Sequence, residues 1–268
     1  MKRLLLPLAA TALLTGSGCY TNPVTGRQAL MLISKGQEMS LGAQSFAEMR
    51  KTQKVSADPA MNARTQRVGE RIARAVGNQL PDAKWEFVVF ESKELNAFAL
   101  PGGKVGVYSG LLQLAENDSE LATVMGHEIG HVIARHGAER MSEALVIAGV
   151  GAVGAAVAEN KYDAQTRDLF ILAYGGATTL GRVLPHSRNA ESEADKMGAI
   201  YAAKAGYDPR GAVTFWQKMA AQKAAQKEGA KMPPWLSTHP SDAKRIADLQ
   251  AYLPQVIPIY EAARTQGP

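Results

Sequence analysis

Cysteine is almost missing from this chain: Cys19 is the only one in 268 residues, which excludes an internal disulfide. Charge of one sign is not in large excess either. The 30 Lys and Arg against 25 Asp and Glu leave +5, and the cations are scattered, with no basic run interleaved with aromatics, so nucleic-acid binding has little support. The longest apolar runs, Leu4 to Leu14 and Ala144 to Ala158, fall short of the roughly 20 residues that cross a bilayer as a helix. No internal repeat is apparent. With 46% hydrophobic residues, what is left suits a single globular domain.

The first residues stand apart from that domain. Lys2 and Arg3, the apolar run from Leu4 and the small residues up to Gly18 form a secretory signal peptide, 1–18, cleaved before Cys19. A lone cysteine placed there looks like a bacterial lipoprotein modification site, although Gly16 stands where such signals usually have Leu; ordinary secretion is the alternative. Acyl chains on Cys19 would anchor the protein firmly, and Tyr20, in place of an aspartate, resembles the outer-membrane class of lipoproteins. Loss of the leader takes the net charge from +5 to +3. The expected organisation is an anchor segment over 19–34, a domain over 35–253 and a loose tail over 254–268, from Pro254.

Helical patterns dominate the domain: Lys35 to Lys51, Asp58 to Val76, Ala138 to Ala158, Ala164 to Gly181, Ser187 to Lys204 and Pro209 to Lys227. Ala144 to Ala158, wholly apolar and rich in Gly and Ala, reads as a buried helix. Arg64, Arg67, Arg71 and Arg74 form a stripe whose usual meaning is a solvated face.

One stretch carries chemistry. His127-Glu128-Ile129-Gly130-His131 follows Asn117, a capping residue with Glu120 three positions on, and Leu121, Val124, Met125, Ile129, Val132 and Ile133 recur at helical spacing. This predicts a helix from Asp118 to His136, stopped by Gly137. On it the two imidazoles lie one turn apart and can reach one metal ion, with Glu128 beside the open position. Chance would produce the pattern on the order of once in a hundred chains of this length. Gly126 and Gly130 weaken the helix by about 1 kcal/mol each relative to Ala, and are better explained by another backbone approaching closely.

Catalytic zinc takes three protein ligands and leaves a position for water. Glu191 and Asp195 share one face of the helix that starts near Ser187, with Glu193 pointing elsewhere. Glu191 is read as the third ligand and Asp195 as a carboxylate that orients a ligand histidine through its free ring N–H; the plainer alternative is a solvated helix surface. His136, nine residues from His127, turns to the opposite side and reads as structural or solvent-facing. His186 is either a supporting residue or an ordinary loop histidine. His239, in a Pro-bounded loop, is either a histidine able to swing over the metal or, again, an ordinary one.

These blocks together resemble the zinc metallopeptidases of peptidase family forty-eight, the HtpX, BepA and LoiP group, and among them the small lipoproteins. The resemblance rests on Asn22-Pro23-Val24-Thr25-Gly26, Asn96 to Gly103, His127 to His131, Ser187-Arg188 with Glu191 and Asp195, and His239-Pro240. It implies a mainly helical α+β, zincin-like fold, one Zn²⁺ per chain on His127, His131 and Glu191, and Glu128 as the catalytic carboxylate. It also implies that His239 can hold the enzyme latent as a further ligand. Arg245, which matches the same block, is a candidate to stabilise the oxyanion.

Trp85 to Phe90 and Val105 to Tyr108 read as two short antiparallel strands, with Pro101-Gly102-Gly103 marking a turn. The resemblance implies that Asn96, Ala97, Phe98 and Ala99 form an edge strand that pairs with substrate backbone; a structural hairpin is the alternative. The expected activity is zinc-dependent hydrolysis of peptide bonds in misfolded or misassembled envelope proteins, by a water that the zinc activates and Glu128 deprotonates. A zinc-containing periplasmic chaperone or scaffold with minor peptidase activity is the alternative.

Overall fold

Ser34 opens the first helix. Its hydroxyl accepts from the Gln37 N–H while the Gln37 side chain accepts from the Ser34 N–H, a reciprocal cap that satisfies two orphan donors, and α1 runs Lys35–Thr52. Asp58 caps α2, Pro59–Val76, through the N–H groups of Ala60 and Met61, with Pro59 in the first turn where its missing N–H costs nothing. The computed structural model describes residues 19–147, 166–167, 187–225, 235, 239 and 243–265. The expected signal peptide, the Ala144–Ala158 helix beyond Ile147 and nearly all of Ala164–Gly181 lie outside them.

The sheet differs from the expected antiparallel pair. Strands β3 (Glu86–Phe90) and β5 (Lys104–Tyr108) run parallel, Glu86 opposite Lys104, and β4 (Ala97–Leu100) pairs antiparallel with β5 in the order β3-β5-β4. The reason is where the chain reverses: Gly102 and Gly103, at φ 87° and 79°, supply the left-handed turn between β4 and β5. The Asn96 block therefore supplies a strand of its own, at the sheet edge. Phe46, Phe90, Phe98 and Tyr108 pack edge-on, stacked or tilted over it, with centroids 5.8–6.4 Å apart.

After α3 (Ser109–Leu114), Asn117 caps α4, Asp118–Ile133. The helix stops three residues short of His136. Arg135 adopts φ 57°, and α5 starts afresh over His136–Ile147, so Gly137 is not the stop. The left-handed residue is held by its buried guanidinium, which donates to Glu38 and to the Ile33 carbonyl.

The segment over 19–34 is folded into the domain rather than trailing from it. Strands β1 (Cys19–Thr21) and β2 (Gln28–Leu30) form a hairpin, the Tyr20 hydroxyl donates to the Ile133 carbonyl at 2.5 Å, and Ala29 and Met31 bury against Ala138.

Helix α6, Arg188–Lys204, capped by Ser187, lies along α4 at backbone contact. A Cβ on Gly126 would sit 2.9 Å from the Gly198 carbonyl oxygen, and one on Gly198 only 2.7 Å from the His127 nitrogen. Glycine in α4 thus does what its cost implied. Helix α7 spans Arg210–Ala224 and α8 Ala243–Thr265. The loose tail expected from Pro254 is instead helical: Pro254 and Pro258 sit inside α8, and Val256 is buried with Ala199 and Ala203.

The arginine stripe is also more than a solvated face. Arg64 pairs with Asp118 and donates to the Leu112 and Ala115 carbonyls, and Arg71 donates to the Ala205 carbonyl while covering the Tyr207 ring. No helix among the described residues is long and apolar enough to cross a membrane. The architecture is a mainly helical α+β fold of zincin type, in which α4 and α6 carry the chemistry.

Candidate metal centre

Histidines 127 and 131 project from successive turns of α4 with their Nε2 atoms 3.0 Å apart. Across the helix contact, the Glu191 oxygens lie 3.6 Å from His127 Nε2 and 3.3 Å from His131 Nε2. His239 Nδ1 completes the group at 3.3 Å from His127 Nε2 and 2.9 Å from Glu191 Oε1. All four side chains are buried, and their donor atoms lie within 4.8 Å of one another. Donors bound tetrahedrally at about 2.0–2.1 Å are about 3.3 Å apart, and the separations above, 2.9–3.6 Å, bracket that value. Imidazole lone pairs and a carboxylate crowded around one point repel unless a cation sits between them, so the donor set fits a divalent metal ion.

The protonation states agree. Burial first, and then the neighbouring His127 and His136, hold His131 well below the usual imidazole range against the opposing pull of Glu191, leaving it neutral with a lone pair to give. Burial pushes Glu191 up, but His239, Arg245 and His131 outweigh it and hold the carboxyl well below the usual range.

Asp195, one turn along α6, lies 2.9 Å from His127 Nδ1, which fixes that ring with its Nε2 lone pair toward the donor set. Arg245, expected to stabilise the oxyanion, is buried beside the donor set. Its guanidinium binds Asp195 at 2.5 and 2.7 Å and Glu191 at 2.6 Å, and lies 3.4 Å above the Trp216 ring, so it orders the two carboxylates. Glu128 is buried beside the donors with His239 Nε2 3.5 Å away, and the Trp235 indole N–H donates to its Oε1 at 2.7 Å. Trp235 stacks on Trp216, centroids 4.8 Å apart, and its carbonyl accepts the His239 N–H. Sequence reasoning missed Trp235; the available signal was its place one helical turn before His239.

Of the two readings of His136, structural or solvent-facing, the structural one holds. It is buried, not solvent-facing, with Nδ1 2.8 Å from His131 Nδ1 and Nε2 2.8 Å from Glu193 Oε2. The break at Arg135 resets the helical phase, so counting from His127 along one helix put it on the wrong side. Glu193 does face away from the donor set, into a second buried cluster. Asn96 enters β4 completely buried, and among the described residues its side-chain amide has no hydrogen-bond partner. His186 lies outside the described residues.

Comparison with known proteins agrees with this geometry. Residues 59–253 match the family described as Peptidase family M48. The chain is 32% identical over 251 residues to the mitochondrial metalloendopeptidase OMA1 of Schizosaccharomyces pombe, covering 91% of this chain and 71% of that one. It is 31% identical to the Homo sapiens metalloendopeptidase OMA1 over 90% of this chain and 47% of the relative. To the beta-barrel assembly-enhancing protease of Escherichia coli it is 30% identical over 89% of this chain and 48% of the relative. It thus spans about half the length of the last two. Helix-borne donors, a carboxylate beside them and these relatives lead to one conclusion: the chain belongs to peptidase family M48 and is a metalloendopeptidase.

Proposed function

We propose that the ion is zinc, one per chain on His127, His131 and Glu191, and that the enzyme cleaves misfolded or misassembled proteins of the bacterial cell envelope with Glu128 as general base. The observation that carries the chemistry is the convergence of buried His127, His131, Glu191 and His239 donors within 4.8 Å, with Glu128 beside them. Zinc held there would supply Lewis acidity toward the scissile carbonyl and bring a water's pKa toward about 7. Glu128 takes the proton of the attacking water and passes it to the leaving amine. Asp195 keeps His127 in the tautomer that faces the ion. Edge strand β4, with Ala97, Phe98 and Ala99 and with Asn96 just before it, takes the substrate backbone by strand addition.

Acylation of Cys19 anchors the protein in the outer membrane facing the periplasm; the lone cysteine after an apolar leader supports this, as does likeness to a bacterial protease named for β-barrel assembly. Intact mass of membrane-extracted protein tests it: a mass without acyl chains refutes the anchor.

A second reading has its own support. With His239 as fourth donor the site is closed, as in structural zinc centres, and Trp235 occupies the base, which is the arrangement of a latent enzyme or a scaffold with minor peptidase activity. Wild type, Glu128→Gln and His239→Ala are to be compared on an unfolded protein substrate, with zinc content measured in each. Proteolysis lost in Glu128→Gln with zinc retained, and raised in His239→Ala, is expected of the latent protease. Full biological function in Glu128→Gln refutes the protease in favour of the scaffold.

A further inference from the structure

We infer that His136 is a positioning residue for His131, and that the turn of the N-terminal hairpin holds it in that role through Glu193; this rests on the reading of His131 as a metal ligand. The two Nδ1 atoms at 2.8 Å form a hydrogen bond only if one ring donates and the other accepts. Glu193 decides which. Its Oε1 receives the Asn22 amide at 2.7 Å and the Thr25 hydroxyl, and its Oε2 receives Arg27 Nε at 2.8 Å. A carboxylate loaded with donors on both oxygens accepts from His136 Nε2 rather than giving it a proton.

His136 therefore carries its proton on Nε2 and offers a bare Nδ1. That nitrogen accepts the His131 Nδ1–H, and His131 is left with its Nε2 lone pair toward the donor set. Each bond fixes the next, from Glu193 to the metal site.

The two ligand histidines are thus supported differently: His127 directly by Asp195, His131 through a second histidine whose anchor lies in residues 22–27. Arg27 ties the arrangement down, since the same guanidinium forks onto Glu139 of α5 at 2.7 and 2.7 Å while holding Glu193 of α6. This gives the Asn22 to Arg27 turn a purpose that catalysis at Glu128 does not need. The metal site thus draws on α4, α5, α6 and the N-terminal hairpin, whose first strand begins at Cys19.

The test measures Zn²⁺ affinity of the full chain by competition with a chromophoric chelator, alongside the d–d absorption of the Co²⁺-loaded protein. His136→Leu is expected to weaken zinc binding about 10–100-fold and to shift the cobalt bands. His136→Asn, whose carbonyl can accept in place of Nδ1, is expected to recover most of the affinity, and Arg27→Ala to show a smaller loss than His136→Leu. Wild-type affinity in His136→Leu, or His136→Asn no better than His136→Leu, overturns the inference. Nitrogen-15 spectra of the wild type decide it independently of how any variant folds: a proton on His136 Nε2 with Nδ1 bare is expected, and a proton on Nδ1 overturns it. His131→Ala separates the two levels, because unchanged zinc affinity there refutes the ligand assignment itself.

Discussion

Arg245→Met probes how the site balances charge. Asp195 and Glu191 are both held ionised below their ordinary range, so they contribute −2, which the buried Arg245 offsets by +1. The substitution keeps a stem of similar length and removes the guanidinium, leaving −2 on two buried carboxylates and a Trp216 face without its cation. Removing one partner of a buried pair costs about 3–5 kcal/mol, which at roughly 2–4 °C per kcal/mol for a domain of this size lowers the melting temperature by about 6–20 °C. A bound divalent cation supplies +2 at the same point and offsets the charge that the guanidinium no longer balances. The loss should therefore be largest with chelator present and shrink to roughly half or less with saturating zinc. Circular dichroism melts of wild type and Arg245→Met at neutral pH, with chelator and then with zinc, read both numbers. A loss under about 3 °C with chelator, or an equal loss in both conditions, refutes the charge-balance argument.

Gly198→Ala is expected to cost about 1–3 kcal/mol and to weaken zinc binding, since the new Cβ meets His127 backbone at 2.7 and 3.0 Å; Gly36→Ala, whose Cβ meets nothing, is the control, and equal melts for the two would contradict the close helix contact. Trp235→Phe keeps an aromatic ring against Trp216 but removes the indole donor from Glu128, a bond to a carboxylate of about 1.5–3 kcal/mol. Basal hydrolysis of an unfolded substrate should rise by about 10- to 100-fold, and an unchanged rate removes Trp235 from the latch. Asp118→Asn bears on pH: burial raises the Asp118 pKa, but Arg67 and Arg64 outweigh it, so the folded value lies below the ordinary 3.8. A lowered carboxyl stabilises above the ordinary value and stops doing so as pH falls through the folded one. The variant should be about 1 kcal/mol less stable near neutral pH, with the gap from wild type closing in denaturant titrations toward pH 2; a gap constant across that range argues against the pair.

Local chemistry was legible without coordinates. Asn117, Ser187 and Asp58 marked helix starts because capping depends on a side chain and backbone N–H groups within three residues. The His127 and His131 pair could be read for the same reason, both residues lying on one helix whose period fixes their facing. Glycine at 126 announced a close neighbour, though not which one.

What lay out of reach depends on contacts distant in sequence. The left-handed turn at Arg135 exists because Glu38 and Ile33, about a hundred residues earlier, bind its guanidinium, and that turn moved His136 from an outer face to the back of His131. The parallel pairing of β3 with β5, Arg245 committed to two carboxylates, and Trp235 on Glu128 were likewise settled by packing. The amino-acid order by itself determined which side chains can bind a metal and which helices present them, because those are properties of a few neighbouring residues. Only the tertiary structure decided which other side chains hold them in place, because a hydrogen bond between remote segments forms only where the whole chain brings the two atoms within 3 Å.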